Sequence, residues 1–432
     1  MLGSVLSCLM LIVAAIEFTL HLVPLDLFAD RPYEALGHFH TQDGPFEGNA
    51  EYHSAHSFGD LAALGNLPKR RLYHGVDFTT DEFGFHNPAS TADLRWAGIL
   101  FGDSFAIGAE VPEGKTLSVQ LTTLFSRPIY NAGGYLSFDV ERVRQLSNRL
   151  NLHRGVFIYE FHEAHLKEPL PQSAPVQSSW RHRVALQMFG PEGLNRLRER
   201  LSSLLDLRLG LLAQKFEKTV ENDALLPNSF ASNVVEGRLR NGDWMLFLRS
   251  RIEPVGSPEV AIGRWADFFS WASRELRSDG LELVVIIVPD EFTVYQPLLA
   301  SPRIPTHGDV LLGQLERRLR ESGIPVVNVS PAFRAAAAEL AEHHEYIYWQ
   351  DDTHWNECGV TIAAAEFREQ IGLQPLPGFI GTESRPANRS ELKTALPSNC
   401  ESEQTTPEIT TVRSESSQRE TLSNNLERRI LH

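Results

Sequence analysis

Cysteine is scarce in this chain of 432 residues, which contains only Cys8, Cys358 and Cys400. Thiols so few and so scattered exclude a disulfide framework or a Cys-rich zinc site. Positive charge is also in deficit. With 40 Lys and Arg against 55 Asp and Glu the formal charge is −15, which argues against a nucleic-acid-binding face, because such a face must displace counterions from phosphates. No basic residue precedes Arg31, so no positive leader flanks the apolar start of the chain. No internal repeat is evident. What the chain has instead is apolar substance: 42% hydrophobic against 22% charged, enough to build a core in one large domain or two ordinary ones.

The two ends differ from the middle. Met1 to Ile16 carries no ionised side chain, and the apolar character runs on to Val23 past Glu17 and His21. Sixteen helical residues rise about 24 Å, short of a ~30 Å hydrocarbon layer, and continuation to Val23 closes the gap only if Glu17 escapes burial. Residues 1–24 therefore read as a signal-anchor or signal peptide, giving an exported, membrane-anchored chain, and residues 25–74 as a linker and N-terminal extension. Residues 375–432 are rich in Ser, Thr, Glu, Asn and Arg with few large apolar side chains. Such a stretch buries too little surface to offset its ordering entropy, so a disordered tail is expected.

Between the ends, short apolar runs alternate with amphipathic stretches. Strands are expected at Ala97–Phe101, Pro128–Asn131, Gly155–Phe161, Leu281–Val288 and Pro325–Val329. Helices are expected at Lys115–Phe125, Phe138–Leu150, from Pro258 to a stop at Gly280, and at Gln314–Ser322, Pro331–Ala341 and Val360–Ile371. This alternation indicates an α/β fold, a mostly parallel sheet flanked by helices on both faces. Residues 170–256 break the rhythm. Leu194, Leu197, Leu201, Leu204, Leu205 and Leu212 stripe one face of an expected long helix, so the segment reads as a helical insertion.

Two segments carry chemistry. In Gly102-Asp103-Ser104-Phe105 a serine follows a strand through a tight turn, where its hydroxyl reaches the crevice at the carboxyl edge of the sheet and the N–H groups of a helix start face a developing oxyanion. In Asp351-Asp352-Thr353-His354-Trp355-Asn356 a histidine lies two and three residues after carboxylates. A serine needs a base to become nucleophilic, and a carboxylate fixes the tautomer of that base. Trp355 and Asn356 are expected to brace the loop. His162 and His165 lack the HExxH spacing of zinc proteases, so no metal is expected there. Cys358 reads as a small buried side chain.

Together the GDSF and DDTHWN segments resemble the SGNH hydrolase superfamily, in wording nearest to the SGNH hydrolase-like domain of alginate and exopolysaccharide O-acetyltransferases. Thr80-Asp81-Glu82-Phe83-Gly84-Phe85, Tyr130-Asn131-Ala132-Gly133-Gly134 and Val288-Pro289-Asp290 add to the likeness, which spans roughly residues 75–372. It implies a three-layer, flavodoxin-like domain over 75–374, with Ser104 as nucleophile, His354 as general base and Asp352 as its orienting carboxylate, Asp351 being the rival. The N–H groups of Ser104 and of Gly133 or Gly134 would bind the oxyanion. The third block of the superfamily, with its Asn, is absent, and Glu160-Phe161-His162-Glu163 stands there instead. Implied further are O-acetyl transfer to a polysaccharide with no cofactor, an acetyl donor supplied by a membrane acyltransferase, and a catalytic domain on the periplasmic or extracytoplasmic side. An acetylesterase uses the same triad, and the alternative of another class is a non-catalytic polysaccharide-binding component of a surface-glycan assembly complex.

Overall fold

A computed structural model describes residues 2–23, 27–37, 44–65, 67–88, 94–108, 110–134, 138–168, 170, 208, 211, 212, 215, 216, 233–301 and 308–371. In chain order the elements are α1 (Leu2–Leu20), α2 (Pro32–Leu36), β1 (Glu51–Ser57), α3 (Asp60–Leu64), β2 (His74–Thr79), β3 (Gly98–Gly102), α4 (Ser104–Ile107), α5 (Leu117–Phe125), β4 (Ile129–Gly133), α6 (Val140–Arg149) and β5 (Gly155–His162). The second half supplies β6 (Val234–Arg238), β7 (Trp244–Leu248), α7 (Arg249–Ile252), α8 (Pro258–Ser278), β8 (Leu281–Val288), α9 (Glu291–Tyr295), α10 (Gly308–Glu321), β9 (Val326–Asn328), α11 (Ser330–Ala341) and α12 (Glu357–Ile371).

Five strands form one sheet in the order β4-β3-β5-β8-β9, every pairing parallel. The side-chain period of two sorts their residues between two cores. Leu100, Ile158, Val284 and Ile286 face the side covered by Leu121, Phe333 and Phe367 of α5, α11 and α12. Ile99, Phe101, Phe157, Val285 and Ile287 face the side covered by Val143, Trp265, Phe269 and Leu315 of α6, α8 and α10. Strands covered on both faces have no polar side to show, which is why LELVVIIV is apolar almost throughout. In α8, Pro258 occupies the first turn and the chain leaves the helix before Gly280, whose φ of 82° is open to glycine.

Three expectations need correction or limits. First, among the described residues no helix is long and apolar enough to cross a membrane. The 19 residues of α1 rise only about 28 Å, and Glu17, near its end, is buried and accepts a hydrogen bond from the backbone N–H of Arg208. Second, the insertion is not purely helical: β6 and β7 pair antiparallel around a turn at Gly242, φ 94°. Val234, Met245, Leu246 and Phe247 are buried there, and an Asn-Gly turn between apolar runs favours a hairpin. Third, Cys358 is buried as expected but is also disulfide-bonded. The leucines from Leu194 to Leu205 and the tail 375–432 lie outside the described residues.

The segment expected as linker and extension contributes structure of its own. β1 and β2 form an antiparallel ribbon, and Phe46, Tyr52, Val76 and Phe78 pack with Ala35, Leu36 and Ile107, the last residue of α4. The ribbon thus leans on the short helix that follows β3.

Candidate active site

α4 begins at Ser104 because Asp103 caps it: the Asp103 carboxylate accepts the N–H of Phe105 at 2.9 Å, and Gly108 closes the turn at φ 68°. The hydroxyl therefore projects from the carboxyl end of β3, and the N–H of Ser104 itself opens a helix, where the first donors have no intrahelical acceptor. Below it, Thr80–Phe85 forms a knot around the buried Asp81. Asp81 accepts the N–H groups of Phe83 and Phe85, the Asn87 amide and the Tyr130 hydroxyl at 2.6–3.1 Å. Asn87 and Asn131 are joined by two further bonds, and the Asn131 amide donates to the carbonyls of Ala106 and Ile107. The knot fixes the end of β4 beneath α4.

The histidine loop is closed at its base by the Tyr348–Trp355 bridge, just before α12. Asn356 closes it, donating to the carbonyl of Tyr346 at 2.7 Å and accepting the N–H groups of Cys358 and Gly359. Trp355 packs edge-on to Phe105 at 5.3 Å. These contacts bring the two segments together. His354 Nε2 lies 2.6 Å from Ser104 Oγ, and His354 Nδ1 lies 2.5 Å from Asp352 Oδ1, which also accepts the N–H of His354 at 2.8 Å. The hydrogen-bond pattern fits a tautomer with the proton on Nδ1, leaving Nε2 to accept from the serine. Asp351 points elsewhere: its Oδ2 accepts the N–H groups of Gly59 and Leu72 at 2.9 and 2.8 Å.

Electrostatics separates the two carboxylates. Burial disfavours charge on both. On Asp352 it is overcome by the facing His354, through charge and hydrogen bond, and then by Arg31, so the group is held down at about 2. On Asp351 burial prevails over the two N–H bonds and the group is pushed up to about 7. Burial also works against an imidazolium at His354, but Asp352, then Asp60 and Glu110, raise it to about 9.

Gly133 and Gly134 sit beside α4 but do not offer free donors. The N–H of Gly133 donates to the Asn131 side chain at 2.9 Å and that of Gly134 to the carbonyl of Gly102 at 2.8 Å. An oxyanion role for either glycine therefore requires its N–H to leave its present partner. A Cβ at Gly133 would run into the backbone of Ala106 and Ile107, so this glycine permits close packing of α4 on β4. His162 and His165, on the other flank, face Asp103 Oδ2 at 3.7 and 3.5 Å. His162 also lies 2.9 Å from Asp290, without the alignment of a hydrogen bond.

Sequence reasoning missed several neighbours. A small cavity of about 10 Å³, room for about one water, is lined by Ser104, Gly108, Glu110, Val111, His354 and Trp355. Glu110 is buried and ion-paired to His74 at 3.2 Å, and His74 stacks on Trp349 at 4.3 Å. Asp60 reaches the histidine loop from α3, its carboxylate accepting the N–H and hydroxyl of Thr353. No spacing in the sequence links these residues to His354, and only the N-cap-like Gly59-Asp60 before an apolar run hints at a turn there.

Comparison with known proteins bears on this arrangement. Residues 238–428 match the SGNH hydrolase-like domain of the acetyltransferase AlgX. That range holds Asp351, Asp352 and His354 and begins well after Ser104. A probable alginate O-acetylase AlgJ from Pseudomonas putida is 27% identical over 154 residues, which cover 36% of this chain and 38% of the length of that protein. The resemblance seen in the sequence is thus found over the second half of the chain.

Proposed function

We propose, from that likeness and from the hydrogen-bonded line Ser104–His354–Asp352, that this protein carries out serine-dependent O-acetyl transfer to an extracytoplasmic polysaccharide. Ser104 Oγ attacks the carbonyl of an acetyl ester while His354 Nε2 takes its proton, and Asp352 holds and stabilises the imidazolium. The tetrahedral oxyanion collapses, His354 returns the proton to the departing alcohol, and an acetyl-serine remains. A sugar hydroxyl then gives its proton to His354, attacks the acetyl carbon and frees Ser104. Water as acceptor would make the same site an esterase. The donor is assigned to a membrane acyltransferase. Placement outside the cytoplasm is supported by the apolar residues 1–23 and by the disulfide at Cys358.

The observation that carries this reading is the 2.6 Å approach of Ser104 Oγ to His354 Nε2. The test uses the full chain and p-nitrophenyl acetate: the wild type should turn over and Ser104→Ala should fall to background. With an oligosaccharide acceptor added, the product should gain one acetyl group by mass. The engagement of both Gly133 and Gly134 N–H groups favours a second reading, a non-catalytic polysaccharide-binding component. Equal background turnover by wild type and variant, with retained glycan binding, would establish it.

A further inference from the structure

We propose that Asp60, brought from outside the strand–helix alternation, is a positioning residue for His354: a second carboxylate that holds the histidine loop and strengthens the base. The inference rests on the assignment of His354 as base, and its geometry is that of a reciprocal clamp. The N–H of Asp60 donates to Asp352 Oδ2 at 2.6 Å and the N–H of Gly59 to Asp351 Oδ2 at 2.9 Å, while the N–H groups of Leu61 and Ala62 both donate to the carbonyl of Asp351 at 3.1 Å. In return, Asp60 Oδ1 accepts the N–H of Thr353 at 2.8 Å and Oδ2 accepts its hydroxyl at 2.7 Å. Asp60 Oδ2 then lies 4.0 Å from His354 Nδ1, on the side where Asp352 already binds.

Two carboxylates on one imidazole do more than hold a loop. When His354 takes the serine proton, the new positive charge is attracted by Asp352 in direct contact and by Asp60 just beyond it. The groups facing Asp60 are Asp352, His354, Arg31 and Thr353, with Glu291 further off. Burial and the charge of Asp352 push Asp60 up, while His354, Arg31 and the Thr353 bond pull it down, leaving it at about 6. Asp60 is therefore mostly ionised in the alkaline range where His354 loses its proton, and its charge adds to the raised affinity of His354 for a proton.

Asp60→Asn keeps the size and one acceptor for Thr353 but removes the charge. An opposite charge at this distance moves an imidazole by about one unit or more. Two measurements on the full chain are paired: the pH–rate profile for p-nitrophenyl acetate and the titration of the His354 ring followed by NMR. Asp60→Asn should move both midpoints about one unit toward acid and lower kcat by about tenfold, with Asp60→Glu restoring part of each. An unchanged His354 midpoint in Asp60→Asn overturns the inference whether or not the protein turns over. A shifted midpoint in a protein whose Ser104→Ala variant is no slower than wild type would sink the enzymatic reading alone. Should Asp60→Asn fail to fold, the same shift is sought in Asp60→Ser, which also removes the charge while keeping a hydroxyl for Thr353, and its absence there counts equally against the idea.

Discussion

Ser104 and His354 stand 250 positions apart in the chain and 2.6 Å apart in space. Each was legible in the sequence because it follows a strand or a closing loop in a pattern that restricts its surroundings. The preference for Asp352 over Asp351 comes from the family resemblance alone, since both spacings suit a histidine and only the loop conformation decides which side chain turns inward. The two should respond differently to the same change. Asp352→Asn removes the charge that sustains the imidazolium and should lower kcat about 10³–10⁴-fold. Asp351→Asn replaces a group that burial already pushes toward its neutral form and keeps an acceptor for Gly59 and Leu72. It should cost threefold or less by the rough standard of an isosteric exchange. Steady-state kinetics on the two variants checks this, and equal losses would contradict it. The same limit applies to the glycine pair: sequence cannot show where the N–H groups of Gly133 and Gly134 point.

At the level of elements, the parallel strands and their covering helices were readable because each carries one unambiguous period or run. The hairpin β6–β7 was not. Its first strand has a single buried residue, Val234, followed by half-buried and exposed ones in alternation, and it sits beside a leucine-rich stretch that dominates any helical pattern. Yet it braces the site: the N–H of Leu246 donates to the carbonyl of Gln350, whose amide donates to that of Trp244. The turn at Gly59 shares this task from the other side. A Cβ there would collide with the backbone carbonyl of Asp351, so Gly59→Ala must displace either α3 or the histidine loop. Overpacking of this kind costs about 1–3 kcal/mol. We expect a lowered Tm together with a loss of turnover larger than the loss of folded protein, measured by thermal melts and active-site titration. An unaltered Tm and kcat would mean that the two segments are less tightly joined than they appear.

For the whole molecule, the buried acids set the dependence of stability on pH. Burial first, then neighbouring Asp290, pushes Glu163 up to about 8. Asp351 stands at about 7 and Asp60 at about 6, and burial raises Glu160 and Glu291 as well. Unfolded carboxyls titrate near 4. Between about pH 4 and 8 the native chain therefore holds more protons than the unfolded one, and stability falls as pH rises. His354, raised to about 9, extends that fall. His86 acts in the opposite sense: burial holds it down at about 4, so its contribution grows from about pH 4 to 6.5. Asp352, held at about 2, loses its contribution only in strong acid. Because the raised carboxyls outnumber His86, Tm should peak near pH 4 and decline toward pH 9, which melts in a buffer series will check. A Tm that climbs steadily from pH 6 to 9 would be the wrong sign.

The clamp between residues 59–62 and the acidic loop has a practical consequence. The domain boundary expected from the sequence lies near residue 75, and trimming the protein there would keep every strand of the main sheet, both cores, the serine and the histidine. It would also cut away the partners of Asp351 and Asp352 that Gly59, Asp60 and Leu72 supply. The remainder would resemble the parent in shape while the loop of His354 swung loose, and a silent assay on such a fragment would say nothing about the full chain.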